Sequence, residues 1–336
     1  MKPRRILVTG GAGFIGCNLV ALLLRQGHSV LNIDCLSYAA NLSALDDFEK
    51  NPSHTFLKAD ICDELSISRA VADFSPDWMF HLAAESHVDR SILQPLDFLK
   101  TNVLGTGVML NAALAYWRSL SAERGKDFRF VHVSTDEVFG ALGSEGCFTE
   151  SSPYDPQSPY SASKAASDHM VRAWGNTYGL PTLITNGSNN YGPFQFSEKL
   201  IPHVISRAFS GQKIPVYGKG LQIRDWIHVM DHCEALALIA ERGRVGETYL
   251  IGGDNEWRNI DLVEKLCRLL KEMLDVDAEI EFVRDRPGHD FRYAVDSSKL
   301  RDELAWLPQR DFESGLRETL LWYRQQWLID KNAMRL

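Results

Sequence analysis

The chain has 336 residues, 45% of them hydrophobic and 24% charged, with a formal net charge of −8. That length suits two domains, or one large domain with an appended lobe, and an acidic balance without a basic block argues against nucleic acid as the main partner. No apolar run approaches the ~20 residues that span a bilayer.

The opening MKPRRILVTGG passes from two arginines straight into a glycine turn and lacks the apolar core and cleavage site of a signal peptide. The six cysteines lie far apart with no C-x-x-C pair, so neither a zinc site nor a disulfide framework is suggested. A reduced, cytoplasmic protein is expected.

In chain order, strand signals fall at RRILVT, HSVLNID, HTFLKAD, DWMFHLA, FRFVHVS and PTLIT. Helical spacing fills FIGCNLVALLLRQG, ELSISRAVADF, LKTNVLGTGVMLNAALAYWRSL and a segment from about Ser158. Repeated strand–helix alternation predicts an α/β fold, a doubly wound parallel sheet of the Rossmann type covered on both faces. After about Asn186, proline and glycine punctuate shorter elements, which reads as a smaller α+β lobe closing over the sheet. The division expected is 1–187 for a dinucleotide-binding domain and 188–336 for a substrate lobe, with QIRDWIHV and the helix after it, around 222–242, returning to the main sheet.

Gly10, Gly11, Gly13 and Gly16 stand between the first strand and the first helix and satisfy G-x-G-x-x-G. A tight turn, close approach of backbone to a pyrophosphate and close helix–strand packing each need a residue without a side chain. The helix start then offers amide donors to the phosphates. Asp34 closes the second strand, where a carboxylate accepts from both ribose hydroxyls and repels a 2′-phosphate; no arginine follows it in DCLSY, which favours NAD over NADP. Asp60, ending the third strand, reads equally as an adenine contact and as a simple turn.

VSTDEVFG sets Thr135, Asp136 and Glu137 side by side where an apolar strand ends. Either a strand-end acid caps a helix there, or a reaction needs an acid and a base. Tyr160 and Lys164 form Y-x-x-x-K, four apart and so on one helix face. The ammonium and an oxidised nicotinamide ring both favour the phenolate; lowering the phenol by about 3 pKa units requires ~4 kcal/mol of differential stabilisation.

TGGAGFIG, Asp34, Thr135 and the Tyr160–Lys164 pair together resemble the extended short-chain dehydrogenase/reductases. STDEVFG narrows the resemblance to the nucleotide-sugar 4,6-dehydratases, most of all the branch acting on dTDP-glucose. It continues in order through HLAAESHVDRS, SNNYGP, EKLIP, PVYGKGLQIRDW, IGGDNE and DRPGHD. The resemblance implies an NAD-dependent lyase that makes a 4-keto-6-deoxy sugar, with Tyr160 taking the 4-hydroxyl proton, Asp136 as acid, Glu137 as base and Thr135 orienting the reacting oxygen. It implies cofactor contacts at Gly10, Gly13, Phe14, Ile15, Gly16, Asp34, Asp60, Ile61, Ala83, Tyr160 and Lys164. It also implies a homodimer through two helices of each subunit; LGTGVMLNAALAYW and ASKAASDHMVRAW could supply that surface, or could as well face the core.

For the sugar nucleotide, the family positions are Arg224 and Arg286 at the pyrophosphate, with Asn189, Lys199 and Asn259 as further contacts, the last in an unconventional NEWRN context. Tyr217 could stack on the base, and Ser86 and His87 could meet the sugar, although His87 reads equally as a satisfied strand-end histidine. The chain departs from the family at Asn186, where arginine is usual, and at Gly187, Phe194, Gln195, Ser197 and Leu250. None of these is a proton or hydride carrier; they bear on the base of the nucleotide rather than on the reaction. The competing readings are a dehydratase of UDP-glucose or another hexose nucleotide, a 4-epimerase, which needs no acid–base pair for dehydration, and an NAD-sensing binding protein without activity.

Overall fold

The computed structural model describes residues 2–285 and 288–333. Six strands of the main sheet fall where the apolar runs placed them: β1 (Arg5–Thr9), β2 (Ser29–Asp34), β3 (His54–Lys58), β4 (Trp78–His81), β5 (Arg129–Thr135) and β6 (Thr182–Gly187). The later strands are β7 (Asn189–Tyr191), β8 (Ile214–Tyr217), β9 (Ile223–His228), β10 (Thr248–Ile251), β11 (Glu256–Arg258) and β12 (Ile280–Val283). The main sheet is seven-stranded in the order β10-β6-β5-β4-β1-β2-β3, and every pairing in it is parallel.

Strands buried on both faces read as continuous apolar runs, and the two faces carry separate cores. Helices Phe14–Arg25 and Val229–Arg242 bury Leu19, Leu23, Leu236 and Ile239 on one side. On the other, Glu64–Phe74, Thr106–Ser119 and Pro159–Tyr178 bury Ile67, Val71, Met109, Leu110 and Val171. A third core, around Val204, Leu262, Leu266 and Leu316, holds the second lobe together.

One expectation is corrected. The strand in QIRDWIHV does not return to the main sheet: β9 pairs parallel with β7 and antiparallel with β11 in a separate three-stranded sheet. The strand that returns is β10, parallel to β6, while the helix after β9 does pack on the main sheet. Buried Asp225 explains the detour, because its two oxygens accept from Gly253 and Asn255 N–H and tie β9 to the turn leaving β10. A carboxylate with those partners is satisfied there and would be orphaned inside a parallel apolar sheet.

Among the described residues, no helix is long and apolar enough to cross a membrane.

Candidate active site

A cleft of about 450 Å³ runs along the C-terminal ends of β1, β2, β4, β5 and β6. That is where ligands sit in open parallel sheets, at the point where strand order reverses. At one end the β1 turn is built from bare backbone: a Cβ on Gly16 would lie 2.0 Å from the Gly10 carbonyl oxygen, and one on Gly10 would lie 2.7 Å from Ala83 N. A Cβ on Gly13 would meet only Gly10 O, at 3.2 Å, so the turn is open on the side of the cleft. Phe14, Ile15, Ile61, Ala83 and exposed Asp60 also line it, and Asp60 Oδ1 accepts from Cys62 N–H at 2.8 Å. Asp34 ends β2 with Oδ2 accepting from Ala12 N–H at 3.0 Å and Oδ1 from Leu36 N–H at 2.8 Å. Burial pushes its carboxyl up, and those two N–H donors oppose the shift.

At the other end Thr135, Asp136, Glu137, Tyr160 and Lys164 line the same cleft. Helix Pro159–Tyr178 presents the last two. Its start is fixed by Pro159 in the first turn and by a capping box in which Ser158 Oγ accepts from Ser161 N–H at 3.1 Å; Gly179, at φ 74°, closes its end. Lys164 is buried, and its Nζ donates to the Val133 carbonyl at 2.9 Å. Burial pulls Lys164 down to about 8, against the pull of buried Asp168 one turn along the helix.

The strand-end acids are not caps. Thr135 Oγ1 accepts from Glu137 N–H at 3.3 Å and caps the short 3-10 turn Asp136–Phe139 itself, while its hydroxyl donates to Asp136 Oδ1 at 3.2 Å. Asp136 is buried, and its Oδ2 has no hydrogen-bond partner. Burial first, then the charges of Glu137 and Asp225, push its carboxyl up to about 8, against Arg224 and the Thr135 hydroxyl. Tyr160 departs from expectation: burial and the charge of Glu137 push its phenol up, against the pull of the hydrogen bond to Thr135. Lys164 spends its ammonium on a backbone carbonyl instead.

Of the residues expected at the sugar nucleotide, Ser86, Asn189 and Lys199 line the cleft. Lys199 Nζ donates to the Ser86 carbonyl at 2.9 Å, and Arg90 and His87 reach Glu198 at 2.8 and 3.3 Å, so the two halves of the chain are clasped across it. His87 is outside the lining; its Nδ1 caps the helix that follows by accepting from Arg90 N–H at 3.4 Å. Arg224, Tyr217 and Asn259 lie in the second lobe. Arg224 is buried, its guanidinium 4.2 Å from the Tyr293 ring centroid and donating to Asp290 O at 3.0 Å. Tyr217 is exposed, its ring edge-on to His289, and Asn259 Oδ1 is buried without a hydrogen-bond partner. Arg286 lies outside the described residues.

Asn186 faces the sheet interior rather than the cleft, its Nδ2 donating to Thr135 O at 2.9 Å and to Asp168 Oδ2 at 3.2 Å. Phe194 packs on Trp322 at 4.7 Å, and buried Leu250 belongs to a core cluster with Val138 and Phe148. Gln195 is in the lining, its Nε2 donating to Asn190 O at 2.8 Å. Several lining residues carried no individual signal in the sequence, Ser134, Ser188, Asn190 and His232 among them. Asn190 follows an expected contact, and His232 comes from the helix after β9, which brings it under the end of β6.

A parallel sheet with a glycine turn, a strand-end acid and a Tyr–Lys pair in one cleft defines a dinucleotide-dependent enzyme of the extended short-chain dehydrogenase type. Residues 7–319 match the family model described as GDP-mannose 4,6 dehydratase, and the chain belongs to that family. Within it, the chain is 55% identical over 323 residues to a probable dTDP-glucose 4,6-dehydratase of Sinorhizobium fredii, covering 95% of this chain and 92% of that one. It is 53% identical over 330 residues to dTDP-glucose 4,6-dehydratase of Neisseria meningitidis, covering 95% and 93%. Among solved structures, dTDP-glucose 4,6-dehydratase of Streptomyces venezuelae, crystallised with NAD bound, superposes with a TM-score of 0.88 at 43% identity over 96% of this chain and 97% of that one.

Proposed function

We propose that this chain is an NAD-dependent lyase that converts dTDP-glucose to dTDP-4-keto-6-deoxyglucose and water. The observation that carries the reading is the pairing of Asp136, pushed up to about 8, with Glu137 beside Tyr160 in the cleft. A site that removes water from a sugar needs one carboxyl that keeps its proton at neutral pH and another group that takes one, and close carboxyls are a way to separate the two. Neither a 4-epimerase nor a binding module has use for the pair, and relatives acting on dTDP-glucose make UDP-glucose the weaker substrate expectation.

The residues fit NAD. The open glycine turn leaves backbone for a pyrophosphate, and each Asp34 oxygen, with one lone pair already engaged, has another for a ribose hydroxyl. NAD, when bound, supplies the acceptor for the carbon 4 hydrogen and returns it to carbon 6. On the chain's side, Tyr160 takes the 4-hydroxyl proton and Thr135 holds that oxygen in line. The resulting ketone acidifies carbon 5, where Glu137 takes the proton, and Asp136 gives its own to the departing 6-hydroxyl. Arg224, with Arg286, Lys199 and Asn189, is assigned to the diphosphate and sugar, Asn259 to a further contact and Tyr217 to the base, in a lobe taken to begin at residue 188. Ser86 is assigned to the sugar, while the contact of His87 Nε2 with Glu198 at 3.3 Å and its cap on Arg90 N–H favour its structural reading. A homodimer is supported by exposed Leu93, Leu96 and Leu104 beside the helices expected to pair, and the cytoplasm suits an enzyme with six unpaired thiols.

Mass spectrometry after incubation with dTDP-glucose and, separately, UDP-glucose in deuterated water tests the reading. The expected product has lost water and kept one deuteron at carbon 5, with dTDP-glucose the faster substrate. A product of unchanged mass with carbon 4 inverted would make the chain an epimerase. Asp34→Ala is expected to weaken NAD binding by about 100-fold or more, the size of two lost charge-assisted hydrogen bonds. It should also narrow the preference over NADP, because the repulsion of a 2′-phosphate goes with the carboxylate; competition between the two nucleotides reads both effects.

A further inference from the structure

Among the described residues of the cleft, the mechanism leaves a buried imidazole without work. His232 is 1% exposed, lines the cleft with Gly187, Ser188, Asn189 and Asn190, and its Nε2 has no hydrogen-bond partner. Its other nitrogen fixes what that atom is. Asn190 Nδ2 donates to the Ser188 carbonyl at 3.0 Å, which turns Asn190 Oδ1 towards the imidazole, where it lies 2.8 Å from His232 Nδ1. The proton is therefore on Nδ1, and Nε2 presents a lone pair. Burial pulls the imidazole down to about 4, so it stays neutral throughout the working range.

The ring sits there because residue 187 has no side chain: a Cβ on Gly187 would lie 2.7 Å from His232 Cε1 and 3.2 Å from Nε2. The bare backbone at residue 187 thus makes room for an acceptor at the end of β6. Sheet order says which part of a dinucleotide reaches it. Asp34 on β2 takes the adenosine side and the β1 turn the pyrophosphate, so the nicotinamide half extends past β5 towards β6. There Tyr160 and Lys164 come from the helix on one face of the sheet, and His232 from the helix packed with Phe14–Arg25 on the other. The ribose hydroxyls would meet the Lys164 ammonium, which keeps N–H donors beyond the one given to the Val133 carbonyl. The group left for a bare acceptor on the opposite side is the amino group of the nicotinamide carboxamide.

We infer that His232 holds the cofactor by accepting a hydrogen bond at Nε2 from the nicotinamide carboxamide amino group, with Asn190 and Gly187 setting the ring in place. Pinning the carboxamide fixes the rotation of the nicotinamide, so one ring face meets the sugar both when hydrogen leaves carbon 4 and when it returns to carbon 6. The inference rests on the NAD reading above, and its test is one of binding. Full-length protein is equilibrated with equal concentrations of NAD and 3-acetylpyridine adenine dinucleotide, in which a methyl replaces the amino group, and the retained nucleotides are quantified after release. The native protein is expected to prefer NAD by about 5- to 10-fold, the worth of one good hydrogen bond in a closed site. His232→Phe should hold the two nearly equally, and His232→Gln, which can carry an acceptor to the same place, should restore the preference. His232→Leu makes the same comparison if the larger ring is not accommodated. An unchanged ratio in a variant without an acceptor, or no preference in the native protein, overturns the contact. If the ratio behaves as expected while the native protein makes no keto sugar, the reaction fails and the contact stands.

Discussion

Tyr160→Phe is expected to lower kcat on dTDP-glucose by about 10²- to 10⁴-fold, the usual span for a lost proton-transfer group, while leaving KM within a few-fold. Burial and Glu137 hold the phenol protonated, and the ammonium of Lys164, one helical turn on, donates to the Val133 carbonyl at 2.9 Å. Among the described residues, then, nothing makes Tyr160 a standing base. The lowering of its pKa has to come with the positive nicotinamide ring and with sugar binding, at the moment the proton moves. Lys164 contributes only while charged, and with its pKa drawn down to about 8 that contribution fades as pH rises through 8. In single-turnover experiments the native protein should show a transient at 340 nm and Tyr160→Phe should show none, because the first hydride transfer is the step it blocks. A variant that still forms the transient at the native rate would remove Tyr160 from the chemistry and leave Glu137 as the group to examine.

The reach of the sequence ran unevenly along the chain, for physical reasons. β1 to β6 were legible because strands buried on both faces must be continuously apolar, and the glycine turn because its geometry tolerates no Cβ at Gly10 or Gly16. Thr135 to Glu137, Tyr160 and Lys164 were legible as neighbours, three at a strand end and two on a helix face. What stayed hidden was set by partners far along the chain. β9 looks like a core strand, and only the Asp225 contacts to Gly253 and Asn255 divert it. His232 carries no local mark, since its meaning comes from Asn190, 42 positions earlier, and from the missing side chain of Gly187. The direction of the Tyr160 shift was hidden too: spacing places the lysine on the same face, but it does not say that Val133 holds the ammonium. Departures at Asn186, Phe194 and Leu250, which looked like matters of substrate choice, are contacts of the sheet and the cores.

Asp136→Asn is expected to stop water elimination with oxidation left largely intact, and to make the protein more stable at the same time. An amide cannot give a proton to the 6-hydroxyl, so turnover should fall by about 10²- to 10⁴-fold with the 340 nm transient still forming and then persisting. Native activity should fall as pH rises through about 8, where Asp136 loses its proton, and the stability effect follows from the same group. Its folded pKa lies above the ordinary carboxyl value, so between about 4 and 8 the folded state binds more protons than the unfolded one and loses stability as pH rises. The isosteric amide does not titrate and removes that loss. Its advantage over the native protein should be absent near pH 4, grow through that window and reach on the order of 5 kcal/mol at pH 8, read as a rise in midpoint on denaturant titration. Loss of turnover without the stability gain would mean that Asp136 is ionised in the resting enzyme and that the departing hydroxyl takes its proton elsewhere. Turnover at the native rate would mean it is not the acid at all.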